Sequence, residues 1–172
     1  MTCDRCTAIT KNGTRCKLHT CRTLKYCWIH LKSIDGLQIK KSGIPNADLG
    51  LFATKSFPYS KSRVDPTITY YSARTISDTP NRGSDYVLKV NDKPQYLDSW
   101  SPSNFVGRYI NSFKNHPDKS KRRANVRFTK GSRIYRKDDR YVVPIKQKAM
   151  KINEGDELFI NYGSDYPIMK QI

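Results

Sequence analysis

Seven cysteine and histidine side chains, all able to ligate a metal, fall within the first thirty residues: Cys3, Cys6, Cys16, Cys21 and Cys27, with His19 and His30. They include every cysteine of the chain. A secreted disulfide scaffold spreads its cysteines through the domain it staples, whereas clustering beside histidines points to metal. Thiolates and imidazoles suit zinc, which closes a tetrahedron with four such ligands. Two ligand sets are open on spacing. One is Cys6, Cys16, Cys27 and His30; the other is Cys3, Cys6, Cys27 and His30. Either would be a closed, structural site, because no coordination position is left for a substrate. The segment also needs such a staple. Its apolar residues are only Ile9, Leu18, Leu24, Tyr26, Trp28 and Ile29, too few to fold on burial alone.

A second candidate lies near the other end. Asn153-Glu154-Gly155-Asp156 reads as a turn, and Glu157-Leu158-Phe159-Ile160-Asn161-Tyr162 as the strand after it. At period two, Leu158, Ile160 and Tyr162 share one face, with Phe159 and Asn161 on the other. Either face can pack inward. If the first does, Tyr162 ends a buried stripe with a hydroxyl that needs a partner. Taken alone, this is an ordinary strand-end tyrosine.

The elements that must position these residues form two units. Residues 1–32 are the cysteine-rich module. From about residue 36 onward, short strand-like runs alternate with turn signals. Examples are Gly50–Ala53, Thr67–Tyr71, Tyr86–Val90, Tyr141–Ile145 and Glu157–Tyr162. Loops rich in Ser, Asn, Asp and Pro are expected at 77–85 and 91–104. No long amphipathic helix and no internal repeat is visible, so the expected fold class is mostly β, with short strands and substantial loops.

The totals bound the function. The chain has 172 residues, 37% of them hydrophobic, which suits one modest core plus a small appendage. No apolar run approaches a membrane span, and the N-terminus lacks the apolar stretch of a secretion signal. An intracellular protein with no membrane partner is expected. The net charge of +17 attracts phosphate backbones and acidic surfaces, so contact with DNA or nucleosomes is expected. The run Lys119-Ser120-Lys121-Arg122-Arg123 reads as a solvated loop, a nuclear-import signal or a phosphate-contacting patch.

Two resemblances sharpen this reading. The stretch Cys6-Thr-Ala-Ile-Thr-Lys-Asn-Gly-Thr-Arg-Cys16, followed by Cys27-Trp-Ile-His30, resembles a small cysteine-rich module of large DNA viruses and some microbes. That resemblance favours Cys6, Cys16, Cys27 and His30 as the ligand set. Gly13 would make the tight turn that returns Cys16 toward Cys6.

Four further segments, in order, resemble the SET domain of protein-lysine methyltransferases. Ser42-Gly-Ile-Pro-Asn-Ala-Asp-Leu-Gly-Leu-Phe-Ala53 resembles its N-terminal cofactor loop, and Ile68–Ser77 the strand that follows. Asn104–Asn111, continuing through Asn115-His116 to Asn125, resembles the knot segment. Ile152–Gly163 resembles the closing motif. The likeness spans residues 39–166 and implies a SET domain over 39–172, with a knotted β-fold. It implies S-adenosylmethionine as cofactor and a lysine on a basic, histone or histone-like tail as substrate. Tyr162 matches the family's catalytic tyrosine. Ala47, Leu49, Gly50, Arg108, Asn115, His116 and the lid residue Tyr166 match cofactor positions, while Tyr109 and Ile160 match the substrate channel. The likeness to minimal viral members of the family places the protein in a nucleus or viral factory, and leaves a homodimer open. Two departures stand out. Asp48 replaces the first glycine of a Gly-x-Gly, at a position where a positive φ suits Asp better than most residues. Asn111 is followed by Ser112 rather than His, so Asn115-His116 is favoured as the cofactor pair. A non-enzymatic chromatin or nucleic-acid binder on the same scaffold is the rival reading.

Overall fold

The computed structural model describes residues 4–20, 26–57, 68–71, 75–76, 87–89, 96–98, 106–130, 140–144 and 152–162. Strands dominate among them, as the sequence predicts. No helix of these residues is long and apolar enough to cross a membrane.

In the cysteine-rich region, β1 (Asp4–Arg5) pairs antiparallel with β2 (His19–Thr20). Between them the chain folds back at Gly13, whose φ of 73° makes the turn expected there. A short helix, α1 (Trp28–His30), runs directly into a π-helical turn over Leu31–Asp35. Gly36, left-handed at φ 69°, caps that turn and donates to the Lys32 carbonyl. The boundary expected at residue 32 therefore falls within continuous helical structure.

A hairpin follows. β3 (Leu37–Lys41) pairs antiparallel with β4 (Leu49–Ala53), from Leu37 opposite Ala53 to Lys41 opposite Leu49. Period-two alternation sorts its side chains. Leu37, Ile39, Leu51 and Ala53 join the larger core, while Gln38 and Lys40 face solvent. β5 (Ile68–Tyr71), β10 (Val126–Lys130) and β11 (Arg140–Pro144) form one sheet in the order β10-β11-β5. β6 (Thr75–Ile76), β7 (Val87–Lys89) and β8 (Tyr96–Asp98) form another, with β8 in the middle. β8 falls inside the stretch 91–104 expected to be loop. Pairing on both edges makes a strand of three residues too short to show a period in sequence.

The C-terminal segment stitches these pieces together. From Ile152 to Leu158 it runs beside β4, with Phe57 N–H donating to the Ile152 carbonyl at 3.0 Å and Leu158 N–H to the Leu51 carbonyl at 2.8 Å. It then pairs in parallel, as β12 (Phe159–Ile160), with β9 (Asn111–Ser112). Only two residues of the expected six-residue run are strand. Both faces are buried: Leu158 and Ile160 enter the larger core, and Phe159 packs edge-on against His116. A segment with neighbours on both sides has no solvent face, so the alternation in its sequence does not select one. The larger core gathers Leu31, Leu37, Leu51, Phe57, Val106, Tyr109, Ile110, Val126, Ile152, Leu158 and Ile160. The expected knot depends on residues 163–172, which lie outside those described.

Candidate functional site

Cys6, Cys16, Cys27 and His30 converge, with one ligand atom of each lying within 4.8 Å of all the others. β1 leads into Cys6, the turn at Gly13 returns Cys16 beside Ala8, and α1 carries Cys27 at its N-cap and His30 at its end. His30 Nδ1 is 3.3 Å from Cys27 Sγ and 3.6 Å from Cys6 Sγ. Tetrahedral zinc with bonds of about 2.3 Å to sulfur and about 2.0 Å to nitrogen would separate S and N by roughly 3.5 Å. The geometry fits, and these four side chains can hold a metal ion. The three thiols are free and buried. Burial pushes the Cys27 thiol up from its ordinary value. At Cys6 burial acts the same way but is outweighed by the N–H groups of Cys27 and Ala8 and by the Cys27 and Cys16 thiols, so that thiol is lowered. Cys3 and Cys21 lie outside the described residues. His19 is exposed on β2, paired opposite Arg5.

The second cluster forms where the 42–48 loop, β9 and the closing segment meet. Glu157 is buried, and its carboxylate accepts from Ser42 Oγ at 2.6 Å, Gly43 N–H at 3.0 Å and Asn111 Nδ2 at 3.3 Å. Asn111 Nδ2 also donates to the Leu49 carbonyl at 3.0 Å and reaches Ser42 Oγ at 3.2 Å. With two N–H groups and three acceptors, the Asn111 amide is committed to holding the loop. Within that loop Asn46 and Asp48 have φ of 64° and 54°. Asp48 therefore occupies the left-handed conformation that a glycine would otherwise serve. Gly50 is needed for a different reason: a Cβ there would overlap Glu157 Oε1 and lie 2.9 Å from its Cδ.

Asn125 clamps the closing strand. Its Nδ2 donates to the Glu157 carbonyl at 2.8 Å, its Oδ1 accepts from Phe159 N–H at 2.8 Å, and its own N–H donates to the Phe159 carbonyl at 3.0 Å. Two residues past the strand, the half-buried Tyr162 donates its hydroxyl to the Ile110 carbonyl, just before β9. That is the partner the buried-stripe reading requires.

His116 is buried and its polar atoms are largely engaged. Its N–H donates to the Phe113 carbonyl, its carbonyl accepts from Arg122 Nε at 2.7 Å, and Nδ1 accepts from Asp118 N–H at 3.0 Å. Nδ1 also lies 3.2 Å from the Asp118 carbonyl, and Nε2 faces Gly43. Asp118 caps the 3-10 turn over Lys119–Lys121 by accepting from Ser120 N–H at 2.9 Å and Ser120 Oγ at 2.7 Å. The Ser120 hydroxyl, then its N–H, holds the Asp118 carboxyl below its usual range.

A groove of about 760 Å³ opens beside this cluster, between the end of β3, the 119–125 segment and the 153–157 turn. His116, Glu157 and Phe159 line its inner part, and Lys40, Lys41, Lys121 and Arg123 are among its walls.

Of the expected cofactor positions among the described residues, only His116 lines that groove. Ala47, Leu49, Arg108 and Asn115 are half-buried, and Gly50 is buried against Glu157. Arg108 donates to Tyr109 Oη at 2.9 Å. Tyr109 and Ile160, the expected channel residues, are buried in the larger core beside Tyr162. Tyr166 lies outside the described residues. Sequence reasoning passed over Ser42, Gly43 and Glu157 as site residues. A carboxylate at a strand entrance gives no signal until the fold lays it against Gly50.

No protein-family profile matches the chain, and no curated protein matches it. Among solved structures it is similar to the methyltransferase domain of human PR domain-containing protein 2. The match covers 80% of this chain and 84% of that one, at 20% identity and a TM-score of 0.44.

Proposed function

We propose that the protein is a methyltransferase that moves a methyl group from S-adenosylmethionine to a lysine of a basic, histone or histone-like, protein. The observation that carries this reading is the seating of Tyr162. Its hydroxyl is anchored on Ile110 where the closing segment meets β9, and β9 also supplies the Asn111 that pins the 42–48 loop. Segments named from the sequence for one chemistry thus contribute to a single locus.

When bound, the cofactor supplies an electrophilic methyl on a positive sulfonium. The half-buried Ala47, Leu49, Arg108 and Asn115 are described residues with both the expected position and the access to hold it. Rigidity comes from Glu157 and Asn111, which fix the loop before any ligand arrives. The attacking lysine must be neutral, and a free lysine, with a pKa of about 10.4, is almost wholly charged at neutral pH. The apolar surroundings of Tyr109 and Ile160 disfavour the charged form. Tyr162 donates its hydroxyl to the Ile110 carbonyl, and that bond fixes where its oxygen lies for an incoming amine. We also propose zinc as the ion held by Cys6, Cys16, Cys27 and His30, supported by the three-sulfur, one-nitrogen donor set.

Thermal melting with S-adenosylmethionine or its demethylated product tests the central claim. At least one should raise the melting temperature, as any ligand of the folded state does. If neither does, the enzyme reading fails and the scaffold reading takes its place. Labelled methyl transfer onto a panel of basic proteins should fall about tenfold or more in Tyr162→Phe. Unchanged transfer would remove the tyrosine from the chemistry.

A further inference from the structure

The walls of the groove are unevenly charged. Lys40, Lys41, Lys121 and Arg123 contribute four cations, against the carboxylates of Asp156 and Glu157. Both carboxylates are already occupied. Glu157 holds Ser42, Gly43 and Asn111, and Asp156 accepts from Asn153 N–H at 2.8 Å. The four cations are exposed, and none forms an ion pair among the described residues. The fold also builds the rim that carries two of them. Asp118 caps the turn at Lys119–Lys121, and Arg122 is anchored on the His116 carbonyl, so Lys121 and Arg123 are left at the groove edge.

We propose that this groove binds the phosphodiester backbone of a nucleic acid. Three arguments select that occupant. A cationic wall repels a sulfonium, so the groove is a poor seat for the methyl donor and is available for another ligand. The aromatic residues of its lining, Phe52 and Phe159, are more than nine-tenths buried, and the Lys40 ammonium sits 4.1 Å over the Phe52 ring. Little apolar surface is left to anchor the side chains of an acidic peptide, so what the groove offers is charge. Charge without shaped pockets is what sequence-independent recognition of phosphates requires. The chain's net +17 adds long-range attraction for the same ligand. The proposal does not depend on methyl transfer.

The test is fluorescence anisotropy of the full chain with a labelled DNA duplex and a labelled RNA, over a series of salt concentrations. Both should bind, and the tighter of the two identifies the natural source of the phosphates. The variant carrying Lys121→Glu and Arg123→Glu should weaken binding more than about tenfold and flatten the log–log salt slope by roughly 2, because two fewer phosphates are neutralised. A control with the same charge change, Lys11→Glu with Lys17→Glu, alters exposed residues outside the groove. Its affinity should stay within about threefold of the parent. The milder pair Lys40→Gln and Lys41→Gln should weaken binding in the same direction, which guards against a misfolded reversal variant. Equal losses in the groove and control variants would overturn the proposal in favour of diffuse attraction. Displacement by poly-glutamate as readily as by unlabelled nucleic acid would overturn it in favour of an acidic protein.

Discussion

Glu157 shows how one buried carboxylate organises a site. Its three donors come from the loop and from β9, and its backbone carbonyl is held by Asn125. Gly50 is the complement, because only a missing Cβ leaves room for that carboxylate. A carboxylate at the end of a flexible side chain would ordinarily swing aside, but here moving it breaks the bonds that hold the loop. Gly50→Ala is therefore expected to destabilise the fold by about 2 kcal/mol or more in urea denaturation. The cost should shrink by at least ~1 kcal/mol when Glu157→Ala is already present, since the group that the new methyl would strike is then gone. Additive losses would mean that the two residues do not share a site. Asp48 carries a related lesson: the sequence flagged it as a lost glycine, and its φ of 54° shows the conformation kept without one.

At the scale of elements, the closing strand is the decisive piece. β12 is too short to be stable by its own pairing, and Asn125 supplies three bonds at its entry, to Glu157 and Phe159. Asn125→Asp preserves the shape but turns a donor into an acceptor facing the Glu157 carbonyl. It should cost roughly 2–3 kcal/mol by chemical denaturation and expose the amides of Phe159 and Ile160 to faster hydrogen exchange. Unaltered exchange there would show that parallel pairing with β9 suffices. The strand-like runs at β4, β5, β7 and β11 were legible because β-branched and aromatic residues cluster between turn signals. β8 was not, because its strand character comes from β6 and β7 on either side rather than from its own residues.

Across the whole molecule, two cores touch. A small one gathers Cys6, Ala8, Cys16 and Cys27, and a larger one gathers the strands. Tyr26 packs against both, while Leu31, one residue past His30, is buried in the larger core. A metal held by the four side chains is thereby expected to be linked to the stability of the larger unit and not to the module alone. Removing the ion with a strong chelator is expected to lower the main melting transition by about 10 °C, the scale of a loss of several kcal/mol for a chain of this size. Cys27→Ser should reproduce the shift and make it insensitive to chelator. A main transition that stays in place while only a small, separate one disappears would show two independent units.

What the sequence determined by itself was local and chemical. Ligand types and spacing named Cys6, Cys16, Cys27 and His30 once the resemblance had chosen between two sets, and among the described residues those four converge. Residue periodicity set the mostly β class, because pleat and turn propensities act over a few neighbours. Tertiary structure alone decided what required distant residues to meet. It seated Tyr162 on Ile110, made Glu157 the hub of a loop 114 residues away at Gly43, and buried both faces of the closing strand. It also aligned cations from β3 with cations from the 119–123 run along one groove. The physical reason is that hydrogen bonds and charge fields depend on separation in space, and a single chain read in order carries no record of which separations folding will close.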